Sequence, residues 1–250
     1  DPYRIDATLG TLYYINAKGG KSILMTHVGR PKDKKSGDIR ISEKTSVVPI
    51  VQYLEKKLHI RIKVPEFYQD EKRGYLGVET SVNHLIRELT NDEIDMVYLP
   101  NTRWFHGEES GGEEADRFAT QLAGLADIYI NDAFGSWQPH VSTVNIAGLL
   151  PSYAGWLMQQ EVSHLNRIYE PDQPFLAVVA GSKFDTKIDP LFALLRNADY
   201  LVLGGVIYNA YLCAKYGISI KGIEEDDLKS ARRFVEYSQQ FPGKVVELPY

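Results

Sequence analysis

The sequence predicts an α/β protein built on parallel sheets, and three observations carry that prediction. Short apolar runs alternate with amphipathic helical patterns, with mostly short connections between them. The runs ILMT (23–26), MVYLP (96–100), DIYIND (127–132) and FLAVVAG (175–181) are largely apolar without strict alternation, as strands buried on both faces are. Each run then gives way to cations or polar donors: His27, Gly29 and Arg30; Asn101 and Arg103; Gln138 and His140; Lys183 and Lys187. Open parallel sheets receive ligands outside the carboxyl ends of their strands, so these positions point to a strongly anionic ligand.

Taken in order, Arg4–Lys18 places Ile5, Leu9, Leu12 and Ile15 at helical spacing, with Gly19-Gly20 as its stop. A strand is expected at 22–27 and a polar loop at 31–40. Ser46–Leu58 reads as a helix, because Pro49 lies near its start and Val51, Leu54 and Leu58 share a face. A strand over 61–67, a helix over 82–89, a strand over 96–100, a helix over 113–126 and a strand over 127–131 follow. Residues 154–169 form a long helical pattern with Met158, Val162, Leu165 and Ile168 on one side. Pro171 and Pro174 break it, since each removes an amide donor and restricts the residue before it. The domain boundary is therefore expected at 169/170. The second series comprises strand 175–181, helix 190–196, strand 200–204, helix 206–216, helix 226–241 and strand 244–249. It has room for three strands where a doubly wound domain carries about five or six, so the second domain is expected to be incomplete.

Bulk properties narrow the function. The chain has 250 residues, 44% hydrophobic and 24% charged, with a formal net charge of −5. A globular core is feasible, and an acidic chain is a poor prior for nucleic acid. The single cysteine, Cys213, excludes an internal disulfide framework and a cysteine metal cage, and fits a reducing compartment; a cytoplasmic location is expected. The apolar stretch 200–214 falls short of the roughly 18–20 residues of a membrane span and is interrupted by Gly204, Gly205 and Asn209, so no membrane association is expected. The chain opens on Asp1 rather than Met and stops in an apolar run, which suggests a fragment.

Arginine grips carboxylates and phosphates bidentately, and histidine adds a donor, so Arg4, His27, Arg30 and Arg103 are candidates for one anion site. Each has a plainer reading. Arg103 can pair with Glu108 or Glu109, Arg4 with Asp1 or Asp6, and Asn131, Asp132 and His140 can brace or cap loops. In the second half, Gly181-Ser182-Lys183 follows a strand directly, an arrangement that offers amides to phosphate oxygens, although no GxxxxGK[ST] motif is present. Lys183 and Lys187 share a face if the segment is helical, and the plainer reading is a solvated lysine pair. Gly204-Gly205 is a strand-to-helix turn.

As a set, ILMTHVGRP (23–31), NTRWFHGEE (101–109), DIYINDAFG (127–135), STVNIAGLLPSYAGWLMQQE (142–161) and AGSKFDTKI (180–188) resemble the phosphoglycerate kinases, in that family's order and near its spacing. The resemblance implies two Rossmann-like doubly wound domains that close like a hinge. The phosphoglycerate-binding domain would span 1–169, including an interdomain helix at 154–169. The first half of the nucleotide-binding domain would span 170–250. It implies reversible phosphoryl transfer from 1,3-bisphosphoglycerate to ADP, giving 3-phosphoglycerate and ATP, in a cytoplasmic monomer of glycolysis. Arg4, His27, Arg30, Arg103 and His140 match the acid-binding positions, and Arg4 and Lys183 the catalytic ones. Gly181, Ser182, Lys183, Lys187, Gly204 and Gly205 match the nucleotide side. Mg2+ is implied with ATP or ADP, its protein carboxylate expected outside this chain; no metal ligand is assigned within it.

Four departures stand against this pattern. The family's first strand and the distal half of its nucleotide domain are absent. The segment SWQPHVST (136–143) is one residue shorter than the family's, with Gln138-Pro139 in place of its first His and its Arg. Val206 replaces the third glycine of a triple-glycine run, where a β-branched residue is expected to crowd a nucleobase or demand another backbone path. An alternative expectation is therefore a divergent, non-catalytic relative with an interaction or structural role.

Overall fold

The computed structural model describes residues 2–136 and 138–247. Asp1, the possible partner of Arg4, and the last part of the strand expected at 244–249 lie outside the described residues. The chain forms two compact units, Asp1–Ser163 and His164–Tyr250, the division falling within a helix at Trp156–Asn166.

The first unit runs α1 (Pro2–Asp6), α2 (Leu9–Ala17), β1 (Ser22–Leu24), α3 (Val48–Leu58), β2 (Ile62–Lys63), β3 (Gln69–Asp70), β4 (Gly74–Tyr75), α4 (Val82–Thr90), β5 (Met96–Tyr98), α5 (Glu113–Ala123), β6 (Tyr129–Asn131), β7 (Ser152–Ala154) and α6 (Trp156–Asn166). Strand β5 pairs in parallel with β1 on one side and β2 on the other, Met96 standing opposite Ser22 and Ile62. Its successive side chains feed two different cores. Val97 and Leu99 pack with Val82 and Leu89 of α4 and with Phe118 and Leu122 of α5. Met96 and Tyr98 pack with Leu9 and Leu12 of α2 and with Val51 and Leu54 of α3. Helices thus cover both faces of this sheet, which explains why its central strand reads as a continuous apolar run. β6 and β7 form a separate parallel pair, and β3–β4 a small hairpin.

The second unit runs β8 (Leu176–Gly181), α7 (Ile188–Asn197), β9 (Tyr200–Gly204), α8 (Gly205–Tyr216), α9 (Glu225–Ser238) and β10 (Val245–Val246). Its parallel sheet has the order β10-β9-β8. Ala177, Leu201 and Leu203 point into one core with Leu191 and Leu195 of α7, Ile207 and Ala210 of α8, and Phe234 of α9. Leu176 and Val178 on the opposite face of β8 are 55% and 65% exposed.

Several expected elements differ. The helix expected at 4–18 is broken between α1 and α2. There the Thr8 hydroxyl donates to the Ile5 carbonyl at 2.8 Å, a local bond that competes with helix continuation. Strands expected at 22–27, 61–67, 96–100 and 127–131 are shorter than their apolar runs. Apolar residues continue past the last ladder pair, as Leu99 does, fully buried with its amide on the Leu24 carbonyl at 2.8 Å. The helix expected at 113–126 ends at Ala123, and the one expected to start at 190 starts at Ile188. The segment expected to turn helical at 154 is still a strand there, because β7 pairs with β6 and the Gly155 amide reaches the Asn131 carbonyl at 2.8 Å. Val206 sits in the first turn of α8 and is half-buried, its backbone helical rather than diverted.

Candidate functional site

In the first unit the loop after β1 carries His27 and Arg30, the loop after β5 carries Arg103, Glu108 and Glu109, and the loop after β6 carries Ser136, Gln138, His140 and Ser142. Asn101 fastens two of these together. Fully buried, it accepts from the Val28 amide at 3.1 Å and donates to the carbonyls of Val28 and Thr45 at 2.7 and 2.9 Å. The ladder also continues past the strands, since the Thr102 amide donates to the Thr26 carbonyl at 3.2 Å. The cations therefore sit on loops held by backbone bonds on both sides.

The centre of this cluster is Glu108, 1% exposed. Its carboxylate lies 2.5 Å from His27 Nε2 and accepts from the Ser142 hydroxyl at 2.5 Å and the Ser142 amide at 3.1 Å. A buried carboxylate is tolerated only when its oxygens are met by donors, and three meet this one. The other His27 nitrogen lies 3.0 Å from Ser136 Oγ, and the ring meets that of His140 edge-on at a centroid distance of 4.8 Å. Burial, with the charge of Glu108 adding, pushes the Tyr129 phenol up to about 12, and its hydroxyl donates to the Ser142 carbonyl at 2.8 Å.

Beside it, Glu109 faces two partners with one oxygen. Oε1 lies 3.2 Å from Arg103 Nε and 3.4 Å from Nε2 of the buried His140. Arg103 Nη1 donates to the Gly29 carbonyl at 2.6 Å. An open pocket of about 440 Å³ lies alongside, lined by Glu109, Ser110, Gln138, Pro139 and His140.

The structure thus gathers His27, Arg103 and His140 around Glu108 and Glu109. Arg4 and Arg30 are exposed, and among the described residues neither side chain has a hydrogen bond or ion pair. Asp6 is engaged elsewhere, by Lys57 and Tyr53. Asp132 takes the capping role expected for it. It accepts from the Met158 amide at 3.0 Å and the Thr11 hydroxyl at 2.6 Å, at the start of α6. A side chain at Gly155 would put its Cβ 2.3 Å from that carboxylate, so only glycine fits there.

The second unit is organised around backbone. Gly205 has φ +63°, and a Cβ there would sit 3.1 Å from the Gly181 carbonyl, so the ends of β8 and β9 meet glycine to glycine. Beyond β8, Asp227 of α9, 4% exposed, accepts from the amides of Phe184 and Asp185 at 2.6 and 3.1 Å. Lys183 and Lys187 do not share a helical face. Lys183 precedes a 3-10 turn at Asp185–Lys187, and α7 begins only at Ile188. Ser182, Lys183 and Lys187 are all exposed, and neither lysine has a side-chain partner among the described residues. There, too, no three His, Cys, Asp or Glu side chains form a group able to hold a metal ion.

Sequence reasoning treated Glu108 only as a possible partner of Arg103 and missed Asp227. The signal for Asp227 was present. It lies on the stripe of Ala231 and Phe234, at i, i+4 and i+7, and an acid on the apolar face of a helix demands buried donors.

Two parallel-sheet α/β units, each carrying cations in the loops beyond its strand ends, define an α/β protein of the Rossmann-like class. The model of the phosphoglycerate kinase family matches residues 1–249. The phosphoglycerate kinase of Pseudothermotoga lettingae is 35% identical over 252 residues, covering 98% of this chain and 58% of the relative. The cytosolic phosphoglycerate kinase of Nicotiana tabacum is 35% identical over 240 residues, covering 94% and 55%. Among solved structures, that of phosphoglycerate kinase from Coxiella burnetii superposes with a TM-score of 0.75 at 28% identity, covering all of this chain and 58% of that one. The enzyme from Pyrococcus horikoshii, at 23% identity and a TM-score of 0.71, shares the fold. The chain belongs to the phosphoglycerate kinase family. It spans somewhat under three fifths of the length of these relatives.

Proposed function

We propose that this chain is the acid-binding unit and the phosphate-binding part of the nucleotide unit of a phosphoglycerate kinase. The observation that carries this reading is the placement of cations after the strands of both units, in a chain the family model matches almost end to end. In the reaction, a terminal phosphate oxygen of ADP attacks the acyl phosphate of 1,3-bisphosphoglycerate. The new P–O bond forms as the bond to the carboxyl oxygen breaks, leaving 3-phosphoglycerate as a carboxylate. Acceptor and leaving group are both anions, so no general base is needed. The protein's work is positioning and charge stabilisation.

His27, Arg30, Arg103 and His140 would hold the acid, with Arg4 stabilising charge at the transferring group. Gly181 and Gly205 meet at the strand ends, and their backbone would receive nucleotide phosphates. Lys183 and Lys187, exposed and without a side-chain partner among the described residues, suit those phosphates, Lys183 acting on the group in flight. Magnesium would neutralise charge on the nucleotide; no ligand for it is assigned within this chain.

A second reading is favoured by one observation. Gln138 and Pro139 line the pocket beside Glu109 where the family carries a further arginine, and Arg103 and His140 already face a carboxylate. That suits a non-catalytic relative. ATP formation from 1,3-bisphosphoglycerate by the full-length parent protein distinguishes the two. Robust turnover excludes the second reading, and absence of turnover in folded protein excludes the first. Within the first, Lys183→Ala is expected to slow transfer at least about a hundredfold while leaving 3-phosphoglycerate affinity unchanged. An unchanged rate removes Lys183 from the chemistry.

A further inference from the structure

We infer that Glu109 is a built-in competitor at the anion site of the first unit, a carboxylate that an incoming carboxylate or phosphate oxygen displaces from Arg103 and His140. One oxygen, Oε1, serves both partners at 3.2 and 3.4 Å. It serves neither well. Arg103 Nε is buried and, despite this ion-pair distance, has no acceptor in line with its N–H. Arg103 cannot turn to improve the contact cheaply, because Nη1 is held on the Gly29 carbonyl at 2.6 Å and its backbone amide on Asn101 Oδ1 at 3.2 Å. His140 is equally fixed, its Nδ1 lying 3.0 Å from the Gln138 carbonyl.

The arrangement is one fixed arginine donor, an imidazole edge fixed beside it and one ill-fitting acceptor. A buried donor without an aligned acceptor keeps most of its desolvation cost, so a better-placed ligand oxygen is favoured there. Glu109 itself is 31% exposed along its side chain and borders the open pocket, so its carboxylate has solvent to move into. Glu108 is the contrast. Buried and met by three donors, it stays where it is. Glu109 therefore sets how strongly the site takes an anion, selecting ligands whose charge and geometry outbid a carboxylate already in place.

The inference rests on the proposed reading only for the identity of the physiological anion. The test uses the full-length parent protein and titrates inorganic phosphate and 3-phosphoglycerate separately by calorimetry. Glu109→Gln is expected to tighten both about two- to fivefold, the range that loss of a partly exposed ion pair allows. Glu109→Asp, which draws the oxygen back by one methylene, should give a smaller gain. Thermal unfolding confirms that each variant is folded; if Glu109→Gln is not, the aspartate variant carries the test. Unchanged or weaker binding of both anions in a folded variant overturns the inference, whatever the turnover. Tightened phosphate binding in a protein without turnover upholds it while the kinase reading fails.

Discussion

Each unit places a buried carboxylate beneath the loop that leaves a strand end, yet the two carboxylates leave the cations in opposite conditions. Glu108 in the first unit spends its oxygens on His27 and Ser142, drawing a candidate ligand-binding side chain into the protein's own network. Asp227 in the second spends one oxygen on the amides of Phe184 and Asp185, so the loop is held while Lys183 and Lys187 have no side-chain partner among the described residues. A side-chain network fixes the geometry of the groups that meet a small ligand. A backbone anchor fixes only the loop and leaves long cations exposed. Under the proposed kinase reading, the first would suit one compact anion and the second a chain of phosphates.

The sheets differ in parallel. β5 is sandwiched between two helical layers, whereas β8 has one covered face and one bare face. The largest expected effect follows from this. Leu99→Ala, at a fully buried position just past β5, should destabilise the first unit by about 2–5 kcal/mol. Val178→Ala, on the bare face of β8, should change the second by no more than about 0.5 kcal/mol. Amide hydrogen exchange reports the two units separately. A large loss at Val178 would mean that its face is covered in solution and would break the comparison.

An intermediate effect is expected at the two carboxylates. Glu108→Ala leaves the Ser142 amide, the Ser142 hydroxyl and a His27 nitrogen without their acceptor, at a net cost of about 1–3 kcal/mol once water enters the vacated space. Asp227→Ala should cost about 1–3 kcal/mol by freeing two amides. The sharper distinction is in binding. Loss of Glu108 should weaken anion binding through His27, while loss of Asp227 should loosen the 183–187 loop with no effect on that anion. Calorimetry on both folded variants checks this, and equal effects on the anion would remove the proposed contrast.

Much of this arrangement was legible in the residues. Apolar runs followed by cations located the strand ends, because burial on both faces forces the run and the loop beyond it is free to carry charge. Pro49 and the stripe Val51, Leu54 and Leu58 located α3 to within two residues of its start. Where elements stop was not legible. Leu99 is as buried outside β5 as Val97 is inside it, and Thr8 breaks a helix by a single local bond that periodicity does not register. Glu108 was hidden for a related reason. Glu108 owes its role to residues 81 and 34 positions away in the chain, His27 and Ser142, and spacing along one strand cannot report such partners.

The smallest expected effect concerns a surface device present in both units, a lysine, a carboxylate and tyrosine hydroxyls. In the first unit Lys57 Nζ reaches Asp6 at 2.7 Å and the Tyr53 hydroxyl at 3.1 Å, tying α1 to α3. In the second, Lys215 pairs with Glu247, which also accepts from Tyr211 and Tyr216. Lys57, then Tyr53, hold the Asp6 carboxyl below its ordinary value, while Asp6, then Tyr53, hold the Lys57 ammonium above its own. Glu247 is likewise lowered, first by Lys215, and Lys215 raised, first by Glu247. A lowered carboxylate stabilises above its unfolded pKa of about 4 and loses that contribution as pH falls through its folded value. A raised lysine stabilises below its unfolded pKa of about 10.4 and loses that contribution as pH rises through its folded value. Both clamps should therefore act fully between about pH 5 and 10 and fade outside it. Lys57→Gln and Lys215→Gln should lower the denaturant midpoint slightly at pH 7, by less at pH 3 and by less in 0.5 M salt, which screens exposed pairs. The Lys215 variant should show the larger change, because its carboxylate gathers two tyrosine hydroxyls as well as the lysine. A deficit equally large at pH 3 would mean that the ammonium groups, 5.4 Å from the Tyr53 ring centre and 5.2 Å from that of Tyr216, stabilise through the rings rather than through the carboxylates.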